Sequence, residues 1–138
     1  MQLRNIVRGR VITIDENDTV IEAAKRMKEA NIGCLVVTGS TIAGIVTDRD
    51  LTVRCLAEAH HSAECTVSRH MSSPAITVAP TMDVLDAAHL MTERQVKRLP
   101  LVENGQLVGL VSFSDVAQAM DRPLHDLMIG MGAARRAA

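Results

Sequence analysis

Short apolar runs and amphipathic stretches alternate along the chain, and their order recurs once. Val11 to Ile14 is a brief apolar run, read as a strand. Thr19 stands three residues before Glu22, the spacing of a capping box, and Val20, Ala23, Ala24, Met27 and Asn31 follow at helical spacing. An amphipathic helix is predicted over residues 20–30. Gly33 to Val37 is a nearly continuous apolar run, which suggests a strand buried on both faces. Thr38-Gly39-Ser40 makes a turn, and Ile42 to Val46 returns as a strand. Residues 48–60 are expected to be helical, with Leu51, Cys55, Leu56 and Ala59 on one side.

Shifted by 64 positions, the chain falls on itself. Thr13-Ile14 meets Thr77-Val78, and Val20-Ile21-Glu22-Ala23-Ala24 meets Val84-Leu85-Asp86-Ala87-Ala88. Met27 meets Met91, and Leu35 meets Leu99. One added residue then makes the offset 65, so that Gly44-Ile45-Val46-Thr47 meets Gly109-Leu110-Val111-Ser112 and Asp50 meets Asp115. The second half therefore repeats the plan. Asp83 caps a helix from Val84 to Glu93, and strands run over Leu99–Val102 and Leu107–Val111. Asn104-Gly105 is the hairpin turn, and a helix over residues 114–120 carries Val116, Ala117 and Met120. Pro100 has no N–H to donate, so it is expected at a strand start or edge. The polar segment from Glu58 to Ser73 reads as the joint between halves. Asp121-Arg122-Pro123 reads as a new helix start, with Leu124, Leu127, Met128 and Met131 as its apolar stripe. The organisation expected is one repeat over residues 1–66, a second over 67–121, and a short helix and tail over 122–138.

With 138 residues, 47% of them hydrophobic, the chain is long enough to bury a core without staples. A net charge of −1 disfavours a broadly cationic nucleic-acid binder. Phe113 is the sole aromatic, so stacking platforms for single strands are disfavoured as well. No apolar run reaches membrane-spanning length and the start opens no signal-peptide core, so a cytoplasmic protein with no membrane partner is expected. Cys34, Cys55 and Cys65 lack CxxC spacing, and reduced thiols are the default.

The repeat keeps polarity at Thr13 and Thr77, Thr47 and Ser112, Asp50 and Asp115. The pattern Gly-x-x-[Ser/Thr]-x-x-Asp lies where a strand ends and a helix begins. Unpaired N–H groups there favour a phosphate, and a carboxylate one turn later suits a cis-diol. The glycine permits close backbone approach. Hydroxyl and acid at this spacing equally form a helix cap with no ligand at all. Both readings stand on the sequence. Cys55, His60, His61, Cys65 and His70 cluster in sequence without the short paired spacings of zinc sites. They read as a polar linker with a half-buried Cys55, and no metal ligand is assigned. His89 is expected on a helix surface. Nothing joins a nucleophile to a base, so no catalytic residue is assigned and the chain is not read as an enzyme.

In these features the chain resembles a tandem pair of CBS (cystathionine-β-synthase) domains, a Bateman module. The resemblance rests on Val11–Ile14 and Ala75–Val78, the Ala-Ala-x-x-Met helices at Ala23–Met27 and Ala87–Met91, Arg98-Leu99-Pro100-Leu101-Val102, and the two segments Gly44–Asp50 and Gly109–Asp115. It implies an α/β (α+β) fold of two βαββα repeats about a pseudo-twofold axis, with sheets packed together. It also implies clefts between the halves for adenosine-containing ligands: AMP, ADP, ATP or S-adenosylmethionine. No other cofactor is required. By that resemblance Thr47 and Asp50 serve one cleft and Ser112 and Asp115 the other, with Ile12, Thr13, Ile76 and Thr77 flanking the base. Lys97 and Arg98 fall where family members place phosphate-contacting bases, whereas the first half has Gly33-Cys34 there. Phe113 is a base-packing residue or a loop anchor. The expected function is a regulatory module that signals to an effector protein and forms a homodimer. The alternatives are a ligand-independent docking scaffold, or a metal or redox sensor using Cys55, Cys65 and the histidines.

Overall fold

The computed structural model describes residues 1–7, 9–61, 63–123 and 126. The chain forms two compact units, and these are not the sequence repeats themselves. One unit is Arg10–Ile76; the other combines Met1–Gly9 with the chain from Thr77 onward. In each unit, a short leading segment from one repeat completes the strands and helices of the other.

In the first unit, β1 (Thr13–Asp15) pairs in parallel with β2 (Cys34–Thr38), which pairs antiparallel with β3 (Ile42–Thr47). Helix α1 (Val20–Ala30) joins β1 to β2. Its start is set by Thr19, whose hydroxyl accepts from Glu22 N at 3.2 Å, and its end by Asn31 in the left-handed conformation. Leu35, Val36 and Val37 are all fully buried, as the unbroken apolar run requires. Leu35 and Val37 share a core with Ile14, Ala23, Met27, Val46 and Val67.

The second unit repeats this plan with α3 (Val84–Arg94), β4 (Arg98–Glu103), β5 (Gln106–Ser112) and α4, helical over residues 113–123. Asp83 caps α3 by accepting from Leu85 N at 2.9 Å; that bond and the Met1 ammonium hold its carboxyl below the usual range. The hairpin turns at Asn104 and Gly105, both with positive φ, as a two-residue loop of this chemistry demands.

Four expectations are corrected. The strand expected at Ala75–Val78 reduces to one parallel bridge, Val78 to Leu101. In the first unit Val36 N donates to Ile12 O at 3.2 Å; the residue at that repeat position in the second is Pro100, which has no donor. Pro100 lies within β4, an edge strand of its two-stranded sheet as its missing N–H requires; it is buried and opposite Leu110, and its carbonyl accepts from Val78 N at 3.0 Å. Next, Leu51, Cys55, Leu56 and Ala59 do not share a buried face. The chain leaves the short helix α2 (Asp48–Asp50) as a π-helix over Leu51–Leu56, so the turn widens: Cys55 is buried while Leu56 is 73% exposed. Third, Glu58–Ser73 is not only a joint, because Val67 and His70 within it are buried. Fourth, Asp121-Arg122-Pro123 starts no new helix. A helix already propagating from residue 113 continues through it at less cost than nucleating afresh. The stripe of Leu124, Leu127, Met128 and Met131 lies outside the described residues.

The leading segments enter the two units alike. Leu3 N donates to Met82 O and Val84 N to Met1 O; at the matching places Val67 N donates to Asp18 O and Val20 N to Cys65 O. Each segment ends against a glycine. A Cβ on Gly44 would strike the Ser72 carbonyl, and one on Gly109 would lie 2.9 Å from Val7 Cγ1. The glycine of the repeated pattern thus makes room for the protein's own chain. Leu3 and Val67 are fully buried. Leu3→Ala is expected to cost about 2–5 kcal/mol. Hydrogen exchange should show amides of β4 and β5 losing protection while those of β2 and β3 keep it; the reverse pattern would refute the assignment.

Candidate functional site

The repeated strand-to-helix junction is built the same way twice. In the first unit Asp48 N donates to Gly33 O at 2.9 Å, and in the second Phe113 N donates to Lys97 O at 2.8 Å. This bond ties the helix entrance to the start of the neighbouring strand. Beyond it, hydroxyl and acid close a reciprocal cap. Asp50 N donates to Thr47 Oγ1 at 3.1 Å, and Thr47 N to Asp50 Oδ2 at 2.9 Å. Asp115 N donates to Ser112 Oγ at 3.2 Å, while Ser112 N and Ser112 Oγ reach Asp115 Oδ2 at 2.8 and 2.7 Å. The capping reading is therefore realised in full.

The caps leave different remainders. The second oxygen of Asp50 faces Arg54 Nε at 3.7 Å, and the Asp50 side chain is only 12% exposed. Asp115 spends only Oδ2 on its cap. The helix entrances differ as well. At α2 the Asp48 carboxylate occupies the anion position, accepting from Arg49 N at 2.8 Å, and a Cβ on Gly33 would lie 3.0 Å from it. At α4 that place holds Phe113, 61% exposed. Lys97 is exposed and Arg98 half-buried, and neither joins an ion pair among the described residues.

The named candidates divide between the units. Ile12, Thr13, Thr47, Asp50 and Ile76 belong to the first, and Thr77, Lys97, Arg98, Ser112, Phe113 and Asp115 to the second. Thr13 offers its carbonyl to Arg26 Nη1 at 2.7 Å, so its backbone is engaged. Ser112 lies opposite Arg98 across β4 and β5. A cavity of about 580 Å³ in the second unit is bordered by Asp115, Met1, Ile6 and Arg122; Ser112, Phe113, Lys97 and Arg98 do not line it.

The structure also assembles a cluster that sequence spacing does not suggest. One ligand atom each from Cys55, Cys65 and His70 lie within 4.8 Å of one another. Burial first, then neighbouring His60, pushes the His70 imidazole below its ordinary range, and burial beside Cys65 pushes the Cys55 thiol up. Sequence reasoning offered these residues only as an alternative metal or redox sensor; the stronger signal is in the repeat. At offsets of 64 and 65, Cys65, His70 and Cys55 stand where the other half has Met1, Ile6 and Met120.

Comparison with known proteins identifies the fold. The family model for the CBS domain matches residues 3–56 and 67–122. The CBS domain-containing protein YhcV of Bacillus subtilis is 35% identical over 116 residues, 83% of this chain and 82% of that protein. The hexameric CBS-CP12 protein from bloom-forming cyanobacteria superposes with a TM-score of 0.78 at 30% identity, over 85% of this chain and 66% of that one. Hypoxic Response Protein I, solved with two coordinated zinc ions, gives a TM-score of 0.75 at 28% identity, over 86% and 98%. The chain belongs to the CBS-domain family, as a tandem pair of a regulatory-module class. Among the described residues, no helix is long and apolar enough to cross a membrane.

The cap gives a direct prediction. Thr47→Ala should lower the unfolding free energy in urea by about 0.5–2 kcal/mol. Thr47→Ser, which keeps the acceptor, should stay within about 0.5 kcal/mol of the parent. Equal losses in both variants would show that the threonine methyl, not its hydroxyl, matters there.

Proposed function

We propose that the chain is a regulatory module that binds an adenosine-containing ligand, AMP, ADP, ATP or S-adenosylmethionine, and is not an enzyme. The observation that carries this is the second junction: Ser112 and Asp115 at a helix entrance, with one Asp115 oxygen uncommitted and an exposed Phe113 beside them. A carboxylate with a free oxygen can take a ribose hydroxyl, and an exposed ring can take a base face. Lys97 and Arg98, in no ion pair among the described residues, supply cations near the same strand ends, suited to phosphate. The first junction, with Thr47 and Asp50, is the poorer anion site because Asp48 already fills its helix entrance. Thr77, in the same unit, keeps its proposed place beside the base.

Signalling then rests on differential affinity. A ligand shifts the module only by the difference in its binding to two conformations, and an effector protein reads the shift. Self-association belongs to the same reading: Leu56, Val53 and Met120 are large apolar side chains left exposed, and the cyanobacterial CBS-CP12 relative is hexameric. A docking scaffold without ligand is the competing account of those faces. Hypoxic Response Protein I carries zinc, so a metal is a second ligand class compatible with this fold.

Isothermal titration with AMP, ATP and S-adenosylmethionine should give binding of at least one. Asp115→Ala should weaken it by roughly tenfold or more, the loss of a charged hydrogen bond. Asp50→Ala should affect an anionic ligand less. Absence of heat with all three at millimolar concentration would overturn the proposal and leave the scaffold.

A further inference from the structure

We infer that Cys55, Cys65 and His70 form a binding site for one soft divalent cation of the zinc class, with His60 placed beside it as the fourth side chain. The site lies wholly within the unit Arg10–Ile76 and shares no residue with the adenosyl reading.

The donor set is the first argument. Two thiols and an imidazole are the ligands zinc prefers. Their donor atoms lie within 4.8 Å of one another. A tetrahedral zinc holds such atoms about 3.3–3.8 Å apart, so small side-chain rotations close the site. Metal uptake would release two protons as the thiols become thiolates. The complex of a dication, two thiolates and a neutral imidazole carries no net charge, which suits a buried position.

His70 is the second argument, independent of the spacing. The residue is 2% exposed, and neither ring nitrogen makes a hydrogen bond of good geometry among the described residues, with only the Arg54 backbone near enough to interact weakly. A buried polar group left unpaired carries the full cost of its lost hydration. The other repeat has Ile6 at this place, Met1 in place of Cys65 and Met120 in place of Cys55, so packing alone does not call for sulfur and imidazole here. A cation bound by one ring nitrogen removes part of the deficit.

The backbone supplies the third argument. The π-helix over Leu51–Leu56 widens the turn, and His60 N then donates back to Cys55 O at 3.1 Å. That folds His60 over Cys55 and sets its ring 5.4 Å from that of His70, tilted by 54°. Wide turns of this kind recur at functional sites in helices. His70 arrives from the leading segment of the second repeat and Cys65 from the joint just before it, Cys55 and His60 from the end of the first.

The test uses the full reduced chain with zinc and cobalt(II) as probes. Wild-type protein should bind one equivalent of cobalt(II) with tetrahedral d–d absorption and a thiolate charge-transfer band, and zinc should displace it. Cys65→Ser, at a half-buried position, should lose the charge-transfer intensity from one sulfur and bind zinc roughly 100-fold more weakly. His61→Ala, an exposed neighbour outside the cluster, should bind as the parent does. Wild-type protein gives a check that needs no variant: zinc should protect Cys55 and Cys65 from alkylation, read by peptide mass spectrometry. Cobalt binding without a thiolate band, unchanged affinity in Cys65→Ser, or undiminished alkylation of both cysteines with zinc present would each overturn the site.

Discussion

The burial of Leu3 and Val67 away from the bulk of their own repeats is the constraint on which the other features rest. Each side chain is fully enclosed, and each belongs to a compact unit whose strands come from the other half of the sequence. Burying such a side chain contributes about 1.5–3 kcal/mol, and the backbone bonds around it fix its register. Gly44 and Gly109 are glycines because the leading segments pass against them. The same crossing brings Cys65 and His70 to Cys55, and Met1 and Ile6 to the cavity that Asp115 borders.

Much of this was legible in the sequence. The apolar run Gly33–Val37, the Thr19 cap, the Asn104-Gly105 hairpin and the duplicated order of elements all correspond to what forms, because each is decided by local chemistry and a strong period. The misses have one kind of cause. Val78 pairs through a single bridge because Pro100, distant in sequence, lacks the donor that Val36 provides. Leu56 faces outward because the helix after Asp50 widens, and a period of 3.6 residues misassigns faces in a π-turn. The glycine of the repeated pattern suggested room for a ligand, yet the room is taken by the chain itself. Cys55, Cys65 and the histidines were legible only as an alternative metal or redox sensor, because their spacing along the chain is irregular; their substitution for apolar residues in the other repeat is the stronger mark.

The two halves have diverged in chemistry while keeping one backbone plan. The first junction is self-contained: Asp48 fills its anion position, and the acid of its cap faces Arg54. Among the described residues, the second leaves a carboxylate oxygen, two cations and an aromatic ring uncommitted. Beneath the junctions the contrast reverses, with sulfur and imidazole in the first unit and an open cavity of mixed polar and apolar lining in the second. Such divergence needs no new fold, since one duplicated frame can host unlike sites.

The exchange of leading segments is tested most directly by methyl nuclear Overhauser contacts in the intact chain. Val67 should show contacts to Ile14, Ala23 and Val46, with which it shares a core. Contacts from the Val67 methyls to Leu99 and Val111 instead, within its own repeat, would contradict the account.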